Sequence, residues 1–456
     1  INSDMKKYDL AVIGAGSGGL AAAKRAAKLG LSVVIIEGDR VGGTCVLRGC
    51  VPKKLLVYGS MYRNYLKDCE GYGIEIDNFK SNSSKLLHNI RKEVDRLNEL
   101  HIRLLNDCQV KILSGWAEFV DNKTISIKNN RNKSDGYNIQ ADTFLIAVGS
   151  IPNRPEILGA NLPWVSDDIF LQNDLPESIH IIGAGYIACE FACILNSLGV
   201  KVTLLVRKNH ILNGFEKGIT SILEESMINN GIDILFSTQP KAFKPIENRI
   251  EILDNHNNQI LADSVLLAAG RRPNIDSLAL DKVGIKINNG SIIVDQFNKT
   301  NISNIFALGD AANSVNLTPV AIEEGRCFVD TQFANNPRKV NYSLIPKAVF
   351  STPEVSTVGL SEEDALDEYG LSNVEVFNSK FRPMSQALTS NKTPCLLKLV
   401  IESSSKKILG CHMVGPGASE IIQMASISLL MGATKNDFDK TMALHPTTAE
   451  EFVTMI

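Results

Sequence analysis

YDLAVIGAGSGGLAAAKRAAKLGLSVVIIEGD, residues 8–39, runs from an apolar strand through a glycine turn and an alanine-rich helix to a second apolar strand. This order predicts a complete βαβ unit. Gly14 would allow the tight turn, Gly16 would let a pyrophosphate approach the helix N-terminus, and Gly19 would let the helix pack on the strand. Glu37 follows Gly14 by 23 residues, where a carboxylate would bind ribose hydroxyls. The segment therefore predicts a dinucleotide site.

The same pattern recurs in SIHIIGAGYIACEFACILNSLGVKVTLLVRKNHIL, residues 178–212, with Gly183 and Gly185 in the first two small positions. Its second strand ends in Arg207 and Lys208 instead of an acid. Basic side chains at this point would pair well with a 2′-phosphate, which favours NADPH over NADH. A solvated basic strand end is the alternative interpretation.

A third segment, TNISNIFALGDAAN at residues 300–313, is an apolar strand that ends in Gly309 and Asp310. A carboxylate at a strand end suits a polyol hydroxyl, such as the ribityl chain of a flavin, although an ordinary strand and turn would look the same. Two related stretches, residues 143–155 and 264–274, are rich in Gly and Pro at their ends and are predicted crossings between domains.

Length and composition narrow the class of protein. A chain of 456 residues is too long for one hydrophobic core, so two or more domains are expected. The net charge of -3 lacks the excess of positive charge that is typical of nucleic-acid-binding proteins, and no apolar run is long enough to cross a bilayer. Nine cysteines are too few for a secreted disulfide scaffold, and no signal peptide is recognised. We expect a cytoplasmic protein with small-molecule partners, no nucleic acid and no membrane.

Two cysteines five positions apart lie in GGTCVLRGCVPKK, residues 42–54. In an ideal helix, Cα atoms at this spacing are about 8.7 Å apart, whereas a disulfide needs about 4.4–6.8 Å. The surrounding glycines would allow the distortion, and Pro52 fits the first turn of a helix. The helix dipole and Lys53 would then lower a thiol pKa, so Cys45 and Cys50 are predicted to be reactive. A metal site and a purely structural bridge are less favoured.

MALHPTTAEEFVTM, residues 442–455, contains the other catalytic candidate, His445, with Glu450 five positions later. A single histidine is usually structural. Here a carboxylate about one helical turn away could orient the imidazole, which a proton donor to a leaving thiolate requires.

Together these motifs resemble those of the pyridine nucleotide-disulfide oxidoreductases over essentially the whole chain. The forms GGTCVxxGCVPKK, GAGYIAxEFA and HPTxAEEFVTM are most similar to bacterial and plant glutathione reductases. The resemblance implies an α/β fold with two Rossmann-like domains, for FAD and NADPH, and a C-terminal α+β dimerisation domain. The implied boundaries are 1–149 for the FAD domain with the redox disulfide, 150–272 for the NADPH domain, 273–343 for a central segment returning to the FAD domain, and 344–456 for dimerisation.

The resemblance also implies an electron path from NADPH to FAD, to a Cys45-Cys50 disulfide, and then to glutathione disulfide. Cys45 matches the interchange thiol that attacks the substrate, and Cys50 matches the thiol that faces the flavin. Lys53 matches the lysine beside the flavin, and Glu190 matches its ion-pair partner. Tyr186 matches the tyrosine that covers the nicotinamide pocket.

His445 and Glu450 match an acid-base pair that the family supplies from the other subunit, which implies a homodimer. The remaining predicted cofactor-binding residues are Gly14, Gly16, Ser17, Gly18, Gly19, Glu37, Gly43, Thr44, Gly149, Gly183, Gly185, Ile187, Arg207, Lys208, Gly270, Arg271, Gly309, Asp310 and Thr318.

Glutathione disulfide is anionic, and Lys24 and Arg326 match the cationic positions that would hold its carboxylates, with Ser17 nearby. Lys24 replaces an arginine that is frequent in the family, and His101 occupies the position of a substrate-site tyrosine. We expect these two differences to weaken glutathione binding and to make it depend on pH through His101.

Several alternatives compete with this interpretation. The chain could reduce another small disulfide (trypanothione-like) or thioredoxin, or act as a dihydrolipoamide dehydrogenase. Arg207 argues against the last, because that enzyme would call for an acidic ribose-binding residue there. A nucleotide-binding scaffold with a vestigial flavin is the alternative that is not an enzyme. The joint presence of the cysteines, Lys53, His445 and Glu450 disfavours it.

Overall fold

The structure is a computed structural model that describes residues 6–129, 136–312 and 315–456. A polar stretch at residues 128–138 is predicted to form a hairpin-like excursion. The strands on either side of it pair antiparallel, Lys128 opposite Gly136, and residues 130–135 lie outside the described residues. Asn313, the last residue of the third apolar segment, also lies outside them.

The α-helices of the described residues are α1 (Ser17–Lys28), α2 (Gly43–Leu47), α3 (Cys50–Asp68), α4 (Ser83–Asp107), α5 (Ser166–Ile169), α6 (Tyr186–Ser197), α7 (Lys217–Asn229), α8 (Thr318–Phe333), α9 (Glu362–Tyr369), α10 (Ala418–Leu430), α11 (Lys435–Lys440) and α12 (Glu451–Thr454).

The strands are β1 (Lys7–Ile13), β2 (Val33–Glu37), β3 (Lys111–Ser114), β4 (Trp116–Asp121), β5 (Thr124–Lys128), β6 (Gly136–Ile146), β7 (Ser150–Pro152), β8 (Trp164–Val165), β9 (Ser178–Ile182), β10 (Lys201–Leu205), β11 (Asp233–Leu235), β12 (Pro240–Ile246), β13 (Arg249–Asp254), β14 (Gln259–Ala262), β15 (Val265–Leu267), β16 (Arg271–Pro273), β17 (Ile287–Asn288), β18 (Ser291–Ile292), β19 (Ile305–Ala307), β20 (Lys347–Val349), β21 (Val355–Gly359), β22 (Val374–Phe381), β23 (Cys395–Glu402) and β24 (Ile408–Val414).

The chain forms two compact units. The first takes in the described residues of Ile1–Lys53, His88–Asn153 and Gly270–Val340, and the second takes in Lys54–Leu87, Arg154–Ala269 and Asn341–Ile456.

The first unit is built on a seven-stranded sheet in the order β3-β2-β1-β6-β5-β4, with β19 also paired to β6. Strands β3, β2, β1, β6 and β19 run parallel, and β4 and β5 add an antiparallel edge. Leu10 and Val12 lie in one buried core, while Ala11 and Ile13 lie in another. Because side chains alternate along a strand, residues 10–13 of β1 are all apolar and are covered on both faces, whereas Lys7 at the start of the strand is exposed.

Helices α1 and α8 pack closely in the first unit. A Cβ atom on Gly325 would lie 2.6 Å from the carbonyl oxygen of Gly18, and one on Gly18 would lie 2.5 Å from Leu308. These distances leave no room for a side chain, so the two glycines let the helix backbones approach.

The second unit contains a parallel sheet in the order β11-β10-β9-β15-β8 and an antiparallel sheet of β12, β13 and β14. A third sheet, β20-β21-β24-β23-β22, is antiparallel, and α10 packs against its strands β24 and β21. The predicted α/β class with a C-terminal antiparallel sheet and helices is confirmed. The boundaries of the four segments inferred from the sequence stay a prediction.

No helix within the described ranges combines the length with the apolar composition that a membrane crossing requires.

Candidate functional site

The first glycine turn joins β1 to α1. Gly14 has a φ of +104°, and a Cβ atom there would lie 2.3 Å from the carbonyl oxygen of Ala147. A Cβ atom on Gly19 would lie 2.0 Å from the carbonyl oxygen of Gly14, so the strand and the helix touch as predicted. Gly16 is the N-cap of α1, and its nearest neighbour on that side is the Cα atom of Gly43 at 3.8 Å. The helix N-terminus is thus accessible to an anion.

Glu37 is the last residue of β2, beside this turn. Its carboxylate accepts hydrogen bonds from the backbone N–H groups of Ala15 at 2.7 Å and Asp39 at 2.9 Å. Burial raises the pKa of Glu37, while the two backbone donors act in the opposite direction. The carboxylate is therefore held in place at the strand end, where the ribose of a dinucleotide is expected.

A second chain segment crosses the turn at Gly43. A Cβ atom on Gly43 would approach the Cα atom of Gly16 to 2.5 Å, and its φ is +64°. Ser17 begins α1, Gly18 is buried behind it, and Thr44 is the second residue of α2. Because Gly16 and Gly43 are in contact and have no side chains, only backbone atoms line this surface at the N-terminus of α1.

Asp310 lies in a hydrogen-bonded network at the end of β19. Its carboxylate accepts from the hydroxyl of Ser150 at 2.6 Å, and that hydroxyl accepts from the Nε of Arg271 at 2.9 Å. The backbone N–H of Gly309 donates to the buried carboxylate of Glu324 at 2.7 Å. Arg271, predicted to bind a cofactor, here positions the Ser150 and Asp310 pair.

Gly149 and Gly270 have φ values of +65° and +90°, and apart from their chain neighbours no atom in the described part of the chain lies within 4 Å of an added Cβ at either. The carbonyl of Gly149 accepts from the backbone of Asn274 at 3.0 Å, and that of Gly270 accepts from Asn153 at 2.9 Å. These two turns therefore hold the short β7 and β16 pair together.

The second glycine turn, in the other unit, joins β9 to α6. Gly183 has a φ of +141°, and a Cβ atom there would lie 2.4 Å from the carbonyl oxygen of Ala268. Gly185 is the N-cap of α6, and apart from its chain neighbours no atom of the described residues lies within 4 Å of its added Cβ. Ala188 fills the third small position and is fully buried. In both turns the first glycine therefore packs against the backbone just beyond a neighbouring strand, whereas the second glycine has free space where a side chain would lie.

Several predicted nucleotide residues surround this second turn. Tyr186 is the first residue of α6 and is 44% exposed, and Ile187 follows it in a partly buried position. Arg207 and Lys208 are exposed just beyond the end of β10. Their side chains are accessible to a phosphate.

The two thiols lie on consecutive helices. Cys50 is the first residue of α3, and Pro52 lies in its first turn, as predicted. Cys45 lies in the short helix α2, which the sequence did not predict as a separate element. The break occurs at Gly49, where a Cβ atom would lie 2.8 Å from the carbonyl oxygen of Thr44. This close approach leaves no room for a side chain at the break between α2 and α3.

The thiols are both free, and they differ in acidity. The Cys45 thiol hydrogen-bonds to the Cys50 sulfur and, together with Thr318 and the charge of Lys53, lowers the pKa of Cys50 to about 6. The Sγ of Cys50 lies 3.7 Å from the Oγ1 of Thr318. The same Cys50 interaction and burial raise the pKa of Cys45 far above its ordinary value, although Thr318 and Ser17 oppose this. At neutral pH the reduced pair therefore carries a thiolate on Cys50 and a proton on Cys45.

The predicted pairing of Lys53 with Glu190 stays a prediction. The backbone N–H of Lys53 donates to Gly49 at 3.0 Å within the first turn of α3. Glu190 is 2% exposed, in the middle of α6, and its carboxylate accepts from the backbone N–H of Phe350 at 2.9 Å.

His445 and Glu450 meet as predicted near the C-terminal helix α12. The Nδ1 of His445 lies 3.2 Å from both carboxylate oxygens of Glu450. Glu450 is held by the backbone N–H of Thr447 at 3.3 Å. The imidazole side chain is 79% exposed, so its Nε2 is available to an incoming group while Nδ1 is occupied.

The predicted substrate residues fall on α1, α4 and α8 of the first unit. The Nδ1 of His101 is buried and has no hydrogen-bond partner among the described residues, and burial followed by the charge of Lys24 lowers the pKa of His101. Arg326 is exposed on α8 and lies 3.6 Å from Glu323. Lys24 and His101 are thus brought together, whereas Ser17 lies at the thiols, at the start of α1.

Two residues of the site were not predicted, Ser150 and Glu324. Each binds a group that the sequence did identify, Asp310 and Gly309, but from 160 and 15 residues away along the chain. A buried glutamate in the helix that follows a strand-end glycine is the signal that could have identified Glu324. No local signal identifies Ser150.

Comparisons with known proteins agree with this geometry. Residues 8–325 match the pyridine nucleotide-disulphide oxidoreductase family, and residues 345–456 match the dimerisation domain of the same family. A glutathione reductase of a Nostoc species is 44% identical over 98% of this chain and 99% of its own length. One from Burkholderia cepacia is 41% identical over 99% of both chains.

A third relative, the chloroplastic/mitochondrial glutathione reductase of Pisum sativum, is 38% identical over 98% of this chain and 82% of its own length. Matches of this extent cover both nucleotide turns, the thiol pair and the C-terminal histidine. The chain belongs to the pyridine nucleotide-disulphide oxidoreductase family, among the glutathione reductases.

Proposed function

We propose that this chain is a flavoenzyme that reduces glutathione disulfide to two glutathione molecules with NADPH, through a redox pair of Cys45 and Cys50. The observation that carries the proposal is the pair of free thiols at the N-terminus of α3, with the Sγ of Cys50 3.7 Å from the Oγ1 of Thr318. The hydrogen bond from Cys45 lowers the pKa of Cys50, in keeping with a reactive pair. The match to glutathione reductases over nearly the full chain supports the choice of substrate.

FAD and NADPH fit the two glycine turns. FAD would lie on the N-terminus of α1 across the contact of Gly16 with Gly43, with Glu37 on its ribose and Asp310 on its ribityl chain. NADPH would lie on the N-terminus of α6 beside the open space at Gly185, with Arg207 on its 2′-phosphate. When bound, the two cofactors supply a hydride equivalent, which reduces the disulfide of the protein by two electrons.

The thiols then pass these electrons to the substrate. Cys45 loses its proton and attacks one sulfur of glutathione disulfide, so that a mixed disulfide forms and the first glutathione leaves as a thiolate. The Cys50 thiolate attacks the Cys45 sulfur, which restores the protein disulfide and releases the second glutathione as a thiolate that takes its proton from water. The two electrons added to the protein thus reduce one substrate disulfide.

His445 is assigned the proton transfers. Its Nε2 takes the proton from Cys45 and gives it to the first leaving thiolate, because Glu450 occupies Nδ1. We assign this pair to the active site of the other subunit, as in the family. The C-terminal region supports a homodimer, because it exposes apolar side chains at Met424, Ile427, Leu430, Met431, Met442 and Leu444.

The substrate is assigned to the cationic side of α1 and α8. Lys24 and Arg326 would hold its carboxylates, and His101 would lie beside Lys24. We further assign the protein to the cytoplasm, on the low cysteine content of the chain, which cell fractionation would test.

The test is NADPH oxidation by the FAD-loaded protein with glutathione disulfide, beside lipoamide, thioredoxin and trypanothione disulfide. Turnover with glutathione disulfide alone is expected. Arg207→Ala should raise the KM for NADPH and leave that for NADH unchanged, since NADH has no 2′-phosphate. Turnover only with another of these disulfides would refute the substrate, and an unchanged NADPH preference would refute the role of Arg207.

The alternatives receive less support. Relatives named glutathione reductase at 38–44% identity favour this substrate over lipoamide, thioredoxin and trypanothione. A scaffold with an inert flavin would have no use for a thiol with a lowered pKa.

A further inference from the structure

A cavity in the second unit lies outside all the residues assigned above. It has a volume of about 440 Å³ and is bounded by α3, by the segment that leads into α4, and by the two turns before β9 and after α6. This volume is within the range of small-molecule sites. Its walls combine apolar and aromatic side chains, including Tyr62, Leu66, Phe79, Leu86 and Leu175.

Arg63 is the polar centre of this cavity. Its Nε atom is buried and has no hydrogen-bond partner in the described chain. A buried donor of a charged group without an acceptor is costly, and an anion beside the guanidinium would offset part of this cost. Lys80 also lines the cavity, and among the described lining residues Arg63 and Lys80 outnumber the one carboxylate, Glu177, so that this lining is cationic.

The position of Arg63 is fixed by its surroundings. The guanidinium lies against Gly199, where a Cβ atom would come within 2.4 Å of Nη1 and 2.9 Å of Nη2. On the neighbouring residue of α3, the amide of Asn64 donates to the hydroxyl of Ser197 at 3.1 Å. Ser83 and Asp174 are hydrogen-bonded across the other end. The guanidinium thus packs against the backbone at Gly199, and hydrogen bonds tie together the neighbouring segments that line the cavity.

We propose that this cavity is a second ligand site, which binds a small aromatic or amphipathic organic anion. The carboxylate or sulfonate of the ligand accepts from the guanidinium of Arg63, and its apolar body packs against Leu66, Phe79 and Leu175. Planar anions suit a guanidinium because two parallel N–H groups can point at two oxygens. The site uses no residue assigned to FAD, NADPH, glutathione disulfide or proton transfer.

The test is isothermal titration of the FAD-loaded protein with 1-naphthoate, and with 1-naphthalenemethanol as the uncharged probe of the same ring. Saturable binding of 1-naphthoate with one site per chain is expected, at least tenfold tighter than that of the alcohol. Arg63→Met should weaken 1-naphthoate at least tenfold while leaving glutathione-disulfide turnover unchanged. Lys67→Met, which removes an exposed charge from the same helix, should leave the binding unchanged.

Arg63→Lys is the second variant, in case Arg63→Met does not fold. It keeps the charge but loses the planar fork, so weaker 1-naphthoate binding than in the unmodified protein is expected. The proposal is overturned if 1-naphthoate does not saturate, if the alcohol binds equally well, or if the folded Arg63 variants bind as the unmodified protein does. Competition of NADPH or glutathione disulfide with 1-naphthoate would also overturn it, because it would place the probe in a site already assigned.

Discussion

Replacing Cys45 tests the origin of the thiolate at Cys50. The hydrogen bond from Cys45 is the largest influence that lowers the pKa of Cys50 to about 6. Alanine removes this donor, whereas serine keeps a hydroxyl that can donate in the same direction. Each variant also leaves a single thiol in the pair, so that Cys50 titrates as one group.

The expected size follows from the strength of the lost bond. A hydrogen bond to a charged group contributes about 1.5–3 kcal/mol, which corresponds to a pKa shift of about 1–2 units at 1.36 kcal/mol per unit. Cys45→Ala should therefore raise the pKa of Cys50 by about 1–2 units, and Cys45→Ser should change it by much less. The remaining depression in Cys45→Ala comes from Thr318 and Lys53.

The assay is the pH dependence of iodoacetamide alkylation of the reduced variants, with Cys50 quantified by mass spectrometry of its own peptide. Peptide-level detection separates Cys50 from the other cysteines, of which Cys189, Cys193, Cys327, Cys395 and Cys411 are buried. If the alanine and serine variants give the same pKa, Cys45 does not stabilise the thiolate, and the assignment of the proton to Cys45 fails.

Three further perturbations follow from the structure. Gly183→Ala should lower the free energy of unfolding, because its Cβ would lie 2.4 Å from the Ala268 oxygen, whereas Gly185→Ala should keep the fold and weaken NADPH binding in a fluorescence titration; equal stability of the two variants would contradict this. His445→Gln should lower kcat for glutathione disulfide by about 10²–10⁴-fold, and Glu450→Gln by less, while stopped-flow reduction of the flavin by NADPH is unchanged; slower flavin reduction would be inconsistent with a role in proton transfer. Burial lowers the pKa of His412 to about 4, so below about pH 6.5 the unfolded chain binds a proton that the folded chain does not. Denaturant titrations should then show the free energy of unfolding falling between pH 6.5 and 4 by up to about 3 kcal/mol, less so in His412→Gln, and a parallel loss in both proteins would exclude His412 as the cause.

The glycine turns could be predicted from the sequence because their geometry is local. At Gly14 and Gly183 the backbone has a positive φ and lies against the carbonyl group that follows a neighbouring strand, so a side chain does not fit. The need for glycine at these positions is therefore visible in the sequence itself. The contact of His445 with Glu450 is equally local, since five positions around a turn bring the two side chains together. Short-range constraints of this kind can be recognised in a sequence without knowledge of the tertiary structure.

Long-range partners could not be predicted in the same way. Ser150 reaches Asp310 only because β6 and β19 pair in parallel and end at the same edge of the sheet. Thr318 reaches Cys50 from 268 residues away, at the start of α8. The separate helix α2 was missed because its five residues follow from the backbone at Gly43 and Gly49 and not from a hydrophobic period.

The exposed imidazole of His445 has a genetic consequence. If each catalytic centre takes its thiols from one chain and its histidine from the other, a Cys45 variant disables the centre that uses its own thiols. A His445 variant instead disables the centre that uses the thiols of its partner. Two inactive proteins, Cys45→Ala and His445→Gln, would then complement each other when their subunits are exchanged. Random exchange makes half of the dimers mixed, each with one intact centre of two, so on the order of a quarter of the normal activity should return. Each chain would carry its own mutation, but the activity would depend on which two chains form the dimer.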